Sequence, residues 1–349
     1  ICSAPMRAVT FHAPGEVRLE ELPDPSLQAA DDAIVRVEAT GICGSDLHIF
    51  HGRVAIEPGF TIGHEYVGTV LAAGDAVTQV SVGERVLGTF HTACGTCFFC
   101  RKGLFQKCDE ARVFGHGATL GSLPGTQAER VLVPHANLTL RRVPEGLADE
   151  AALFAGDVMG TGYHSVVAGG LKPGETCAIV GLGPVGLCAA MAAQVAGAAR
   201  VIAIDQVEER LEMARSLGAE PVHLTHDDPR GAVKAATDGR GADVTVEAVG
   251  NGAALDLACR LARKAGTVSV VGVHAERTEV HMGVVWIKNL SLVTGHANVM
   301  GHLDSVLSLM AAGRLDPTPL VTHHMKLADA QEAYDAYAGH RALKIVLSA

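Results

Sequence analysis

The chain has 349 residues, too many for one ordinary hydrophobic core and suited to two domains. Hydrophobic residues make up 48%, glycines number 40 and aromatics only 4%, which suits an α/β protein and not an aromatic-rich β sandwich. A net charge of −10 without a basic run argues against nucleic acid, and no apolar stretch reaches the ~18–20 residues of a membrane helix. With no basic-then-apolar leader either, a soluble cytoplasmic protein is expected, and Met6 is the expected native start after five added residues.

From Met6 to about residue 150, short β-like runs alternate with glycine-rich turns, as in "AIVRVEATGICG", "YVGTVLAAG" and "ERVLVPHANLTL". This reads as a mostly β domain. Of the nine cysteines, Cys94, Cys97, Cys100 and Cys108 crowd into 15 positions. Four thiolates at that spacing match a closed tetrahedral zinc site, which leaves no position for substrate and so pins a loop. After "LKPGE" the pattern becomes strand and helix in turn. Apolar runs at Thr176–Leu182, Arg200–Asp205, Pro221–Leu224, Asp243–Val249, Thr267–Val273 and Leu290–Gly295 predict six strands of a doubly wound parallel sheet, with a helix over Val185–Ala196. The remaining segment ends on a strand-like "LKIVLS", expected to complete the first domain.

Gly181-Leu-Gly183-Pro184-Val185-Gly186 is a G-x-G-x-x-G that follows a strand and opens a helix. The first glycine serves the tight turn, the second close approach of a pyrophosphate, the third helix–strand packing. Asp205, 19 residues after Gly186, falls at the end of the second predicted strand, where a carboxylate accepts from ribose hydroxyls and repels a 2′-phosphate. NAD is therefore expected over NADP. Val249 and Val273, at the ends of two later strands, complete the expected cofactor wall.

The string "GICGSDLH…GHEYVG…ACGTCFFCRKG…C", followed by "VGLGPVGL" and Asp205, resembles the zinc-containing medium-chain dehydrogenase (alcohol dehydrogenase) family across almost the whole chain. The resemblance implies a GroES-like catalytic domain from residues 1–156 and 296–349, with a structural zinc lobe at about 90–110, and a Rossmann domain at 157–295. It implies a reactive zinc on Cys43, His64 and Asp157, residues 21 and 93 positions apart that spacing alone would not connect. Asp157 stands where many members carry a second Cys. Asp46 is the implied carboxylate behind the zinc-bound His, and Glu65 an accessory residue beside the metal.

By the same resemblance, Ser45 and His48 relay the alcohol proton, Thr161 lies near the nicotinamide, Arg210 on the adenosine ribose, and Lys344 at the pyrophosphate. Gly44 stands where some relatives carry a phosphate-binding Arg. Phe90 is the implied pocket residue, whereas Trp286, the one tryptophan, suits packing or an interface. The implied activity is reversible oxidation of an alcohol with hydride transfer to NAD, using two zinc ions per subunit in a homo-oligomer, a tetramer before a dimer. Polyol or butanediol dehydrogenase, threonine dehydrogenase and formaldehyde dehydrogenase or dismutase are the alternatives within the family. A non-catalytic cofactor-binding scaffold is the alternative outside it.

Overall fold

The computed structural model describes residues 5–348, so most of the stretch before the expected start at Met6 lies outside the described residues. The chain forms two compact units, residues 1–157 with 298–349, and residues 158–297. No helix among the described residues is long and apolar enough to cross a membrane.

The first unit contains β1 (Met6–Ala13), β2 (Glu16–Leu22), β3 (Ala33–Ile42), β4 (Phe60–Thr61), β5 (Tyr66–Ala73), β6 (Arg85–Gly88), β7 (Arg130–Val133) and β8 (Leu140–Arg142). β3 shows why they form. Ala33, Val35 and Val37 are buried while Arg36 between them is exposed, the two-residue period of a half-buried strand. β1 lies between β2 and β4 in one sheet, and β3 pairs with β5 and β7 in another. The β-like run "ERVLVPHANLTL" is not one strand: His135 takes a left-handed φ of 50° and opens a helical turn, Ala136–Thr139, between β7 and β8.

The second unit contains β9 (Thr176–Val180), β10 (Arg200–Asp205), β11 (Glu220–His223), β12 (Ala242–Glu247), β13 (Ala262–Val270) and β14 (Ser291–Thr294). All pairings are parallel, in the order β11-β10-β9-β12-β13-β14. The expected doubly wound six-stranded sheet is present. β9 is buried at every residue, as a central parallel strand covered on both faces must be. β13 starts five residues before the predicted run, because the helix Gly252–Leu261 leads directly into it, and its pairing with β12 becomes regular only from Thr267.

The chain then returns to the first unit with β15 (His323–Lys326) and β16 (Ile345–Ser348), and β16 pairs antiparallel with β3, Ile345 opposite Ile42. The helix Ala330–Ala338 places Tyr334 and Tyr337 in a core with Val9, Phe11, Ile42, Ile49 and Phe50. The start of the chain and its last fifth therefore share one hydrophobic core.

Candidate active site

Cys94, Cys97, Cys100 and Cys108 have their sulfurs within 4.8 Å of one another. Backbone amides point at them: Thr96 and Cys97 donate to Cys94 Sγ at 3.5 and 3.4 Å, Cys100 to Cys97 Sγ at 3.5 Å, and Cys94 and Glu110 to Cys108 Sγ at 3.2 and 3.4 Å. Burial opposes ionisation of Cys94, but these amides hold its thiol down at about 6. Burial instead pushes the Cys100 and Cys108 thiols up; a divalent cation would hold all four as thiolates, and four leave it no open position.

A second group is assembled from three separate turns. β3 ends at Ile42, so Cys43 lies at the sheet's end; His64 sits between β4 and β5; and Asp157 follows the helix Asp149–Ala155. Donor atoms of Cys43, His64, Glu65 and Asp157 lie within 4.8 Å of one another. Asp46, fully buried at the start of the short helix Asp46–Phe50, organises them. Its Oδ2 accepts the Cys43 amide at 2.9 Å and its Oδ1 lies 3.1 Å from His64 Nδ1. A carboxylate only accepts, so Nδ1 carries a proton, and Nε2 is the nitrogen whose lone pair would be left for a metal. Ser45 Oγ and Asp157 Oδ2 each lie 3.2 Å from that Nε2.

The electrostatics call for positive charge at this point. Burial works against a charged His64, yet Asp46 and Asp157 lift it well above the ordinary imidazole value. Burial likewise works against ionised Asp157, but His64 and Lys344 hold it well below the usual carboxylate range. One sulfur, one nitrogen and one carboxylate oxygen, converging in a nearly dry pocket, are a donor set that fits zinc with one position left open. Glu65 Oε1 is buried and without a hydrogen-bond partner among the described residues.

Lys344 has a partner that the sequence did not announce. Its side chain, expected at a pyrophosphate, is wholly buried, and Nζ donates to Glu65 Oε2 and, at 3.1 Å, to the Ile42 carbonyl. Burial disfavours its charge, but Glu65 and Cys43 beside it keep the ammonium protonated above the ordinary lysine value. An isolated lysine in a sequence carries no sign of this partner 279 positions away.

In the second unit, Gly181 takes a φ of 92°, and a Cβ on Gly186 would stand 1.9 Å from the Gly181 carbonyl oxygen. Glycine is therefore required at both ends of the loop. Gly183 precedes the helix Pro184–Val195, with Pro184 at its first position. β9 and β12 are the neighbours at which strand order reverses, and their carboxyl ends carry Gly181 and Val249, close enough that a Cβ on Gly181 would lie 2.4 Å from Val249 Cγ2. Val249 and Val273 are 49% and 56% exposed beside this crevice, the place where open α/β sheets take ligands. Asp205 Oδ2 accepts the Leu182 amide at 2.7 Å and Oδ1 those of Gln206 and Val207 at 2.7 and 2.9 Å, so the carboxylate also holds the glycine loop. Arg210 lies 3.7 Å from it.

The remaining candidates separate. Ser45 is at the first-unit cluster, and His48 is half-buried with Nδ1 unpartnered. The Phe90 ring stands edge-on to His64, centroids 6.4 Å apart. Thr161 is part-buried in the helix Val158–Gly169, Gly44 is exposed, and Trp286 is 79% exposed. His116, which the sequence offered only as one histidine among 17, packs against His64 at 5.2 Å. Its one local signal is the pair of flanking glycines, Gly115 and Gly117, both at positive φ.

Residues 29–145 match the family model of the alcohol dehydrogenase GroES-like domain, and residues 184–311 that of the zinc-binding dehydrogenases. An uncharacterised zinc-type alcohol dehydrogenase-like protein of Bacillus subtilis is 35% identical over 95% of this chain and 96% of its own. Among solved structures, the alcohol dehydrogenase TADH from Thermus sp. ATN1 superposes with a TM-score of 0.95 at 43% identity, covering 98% of this chain and 99% of that one. A zinc-binding dehydrogenase from Sinorhizobium meliloti is bound to NADP (28% identity, TM-score 0.87, 99% and 100% coverage), and an alcohol dehydrogenase from Escherichia coli CFT073 is complexed with NADH (27%, 0.88, 99% and 100%). With both halves of its architecture matched and relatives alike over nearly full length, this chain belongs to the zinc-containing medium-chain dehydrogenase family of oxidoreductases.

Proposed function

We propose that this protein is an NAD-linked alcohol dehydrogenase that interconverts an alcohol and its aldehyde or ketone, with one reactive and one structural zinc ion per chain. The observation that carries the reading is the convergence of Cys43, His64 Nε2 and Asp157, with Asp46 fixing the His64 tautomer. Zinc bound there supplies the Lewis acidity that brings an alcohol hydroxyl, otherwise near the pKa of water, into the neutral range. Nicotinamide supplies the hydride acceptor. Ser45 Oγ, beside His64 Nε2, takes up the substrate proton, and His48, with Nδ1 unpartnered, is its next acceptor. Phe90 bounds the pocket on an apolar side. Glu65 and its ion pair with Lys344 set the charge behind the ligands. Asp157 balances charge as a thiolate would, so the cysteine found there in many members is not needed for neutrality.

The first unit would be catalytic, with residues 90–110 as its structural lobe, and the second would hold NAD through Gly181–Gly186, Asp205 and Arg210. Asp205, whose nearest cation among the described residues is Arg210, supports NAD over NADP. A cytoplasmic location suits clustered thiols kept for metal. Met282, Trp286 and Ile287, at 62%, 79% and 69% exposure on one short helix, support a homo-oligomer, for which we favour a tetramer over a dimer. The reading is tested by metal analysis and initial rates with NAD and NADP over a panel of alcohols. Zinc-dependent turnover favouring NAD is expected; full activity in zinc-depleted protein would overturn it.

A further inference from the structure

The reaction scheme leaves His116 unused. Phe114 donates its amide to the Phe90 carbonyl at 3.1 Å and Gly115 donates to the Leu123 carbonyl at 2.9 Å, which ties this loop to both neighbours. A Cβ on Gly115 would stand 2.5 Å from the Gly63 carbonyl oxygen, so glycine lets the loop press against the backbone immediately before His64. The two imidazoles consequently meet, with ring centroids 5.2 Å apart and planes at 64°. His116 is only 8% exposed.

Its tautomer follows from its partner. Nδ1 lies 2.8 Å from the Phe114 carbonyl oxygen, which only accepts, so Nδ1 carries the proton. Nε2 is then an acceptor, and no described residue donates to it. Phe90, the other ring beside His64, offers no hydrogen bond. The two rings packed against His64 thus offer one acceptor without a partner among the described residues and one apolar face. A simple alcohol satisfies only the ring. A substrate with a second hydroxyl on the carbon next to the reacting one satisfies both, and a site whose acceptor takes a substrate hydroxyl discriminates against the analogue that lacks the donor.

We propose that His116 is a specificity-determining residue whose Nε2 accepts a hydrogen bond from the second hydroxyl of a vicinal diol, making diols the preferred substrate class. The proposal rests on the reading of Cys43, His64 and Asp157 as the reaction site. Its test compares kcat/KM for 1,2-propanediol and 1-propanol in the zinc-loaded protein with NAD. The diol-to-monoalcohol ratio is expected to exceed about 10 in the native protein, to fall about 10-fold or more in His116→Phe, and to fall less in His116→Gln, whose amide oxygen still accepts.

A second measurement needs no turnover. In zinc-loaded protein labelled with 15N-histidine and free of nicotinamide, 1,2-propanediol should shift the unprotonated-nitrogen resonance that His116→Gln removes, and 1-propanol should not. This reading stands even if His116→Phe fails to fold. Oxidation of 1-propanol with an unchanged ratio, or equal resonance shifts with both compounds, would overturn the role of His116 alone. Zinc-loaded protein that oxidises neither compound would overturn it together with the site reading.

Discussion

At the scale of single residues, the candidate site depends on side chains whose roles are set by what lies behind them. Asp46 never faces substrate, yet it fixes the His64 proton on Nδ1 and ties the Cys43 backbone to the same carboxylate. Asp46→Asn can still accept from the Cys43 amide but loses the charge that favours a cation at Nε2. Partners of this kind are worth about 10- to 100-fold in metal affinity. Competition with a chromophoric chelator should show that weakening, and an unchanged affinity would refute the role. None of this was legible from spacing: Cys43, His64 and Asp157 come from three turns, and only resemblance linked them. The ion pair of Lys344 was not legible for a related reason, because burial of a charge depends on a partner that folding brings from far along the chain.

At the scale of elements, the second unit was read from sequence more fully than the first. The central strands β9 and β10 are near-continuous apolar runs because both faces are covered, and the G-x-G-x-x-G marks the first turn. The first unit's antiparallel pieces are short, and a left-handed His135 inserts a helical turn that propensity does not announce. Two substitutions separate local roles in the Rossmann-like unit. Lys288 Nζ donates to the carbonyls of Cys259, Arg260 and Ala262, which closes the C-terminal end of the helix Gly252–Leu261. Lys288→Met should therefore lower stability by about 1–3 kcal/mol, read by urea denaturation, with the zinc content unchanged. Gly186→Val, by contrast, puts a branched side chain where even a Cβ meets the Gly181 oxygen at 1.9 Å. It should reduce NADH binding at least about 10-fold, measured by fluorescence titration, because the loop must open to admit it. Retained affinity would show that the loop tolerates the displacement.

At the scale of the whole molecule, the two metal groups differ in how they were found and in what their loss should do. The four-cysteine cluster is local in sequence, so its spacing announced it. Its sulfurs are already served by backbone amides and leave no open position. The Cys43–His64–Asp157 group is non-local, lies beside Ser45, and as three ligands would leave a tetrahedral ion one open position. Native protein should then carry about two zinc ions per chain, the number implied by one closed and one open tetrahedral set. Asp157→Ala should leave about one zinc, abolish alcohol oxidation and preserve NADH binding, since every expected cofactor contact of the glycine loop lies elsewhere in the chain. Cys100→Ser should also leave about one zinc, but with a lower melting temperature, because binding energy at a closed site is folding energy. Metal analysis, melting curves and NADH titration on the same two variants would separate these roles. If Asp157→Ala keeps both zinc ions and its activity, the reactive site has been placed on the wrong residues. If Cys100→Ser loses zinc without loss of stability, the four-thiolate lobe is not a structural staple.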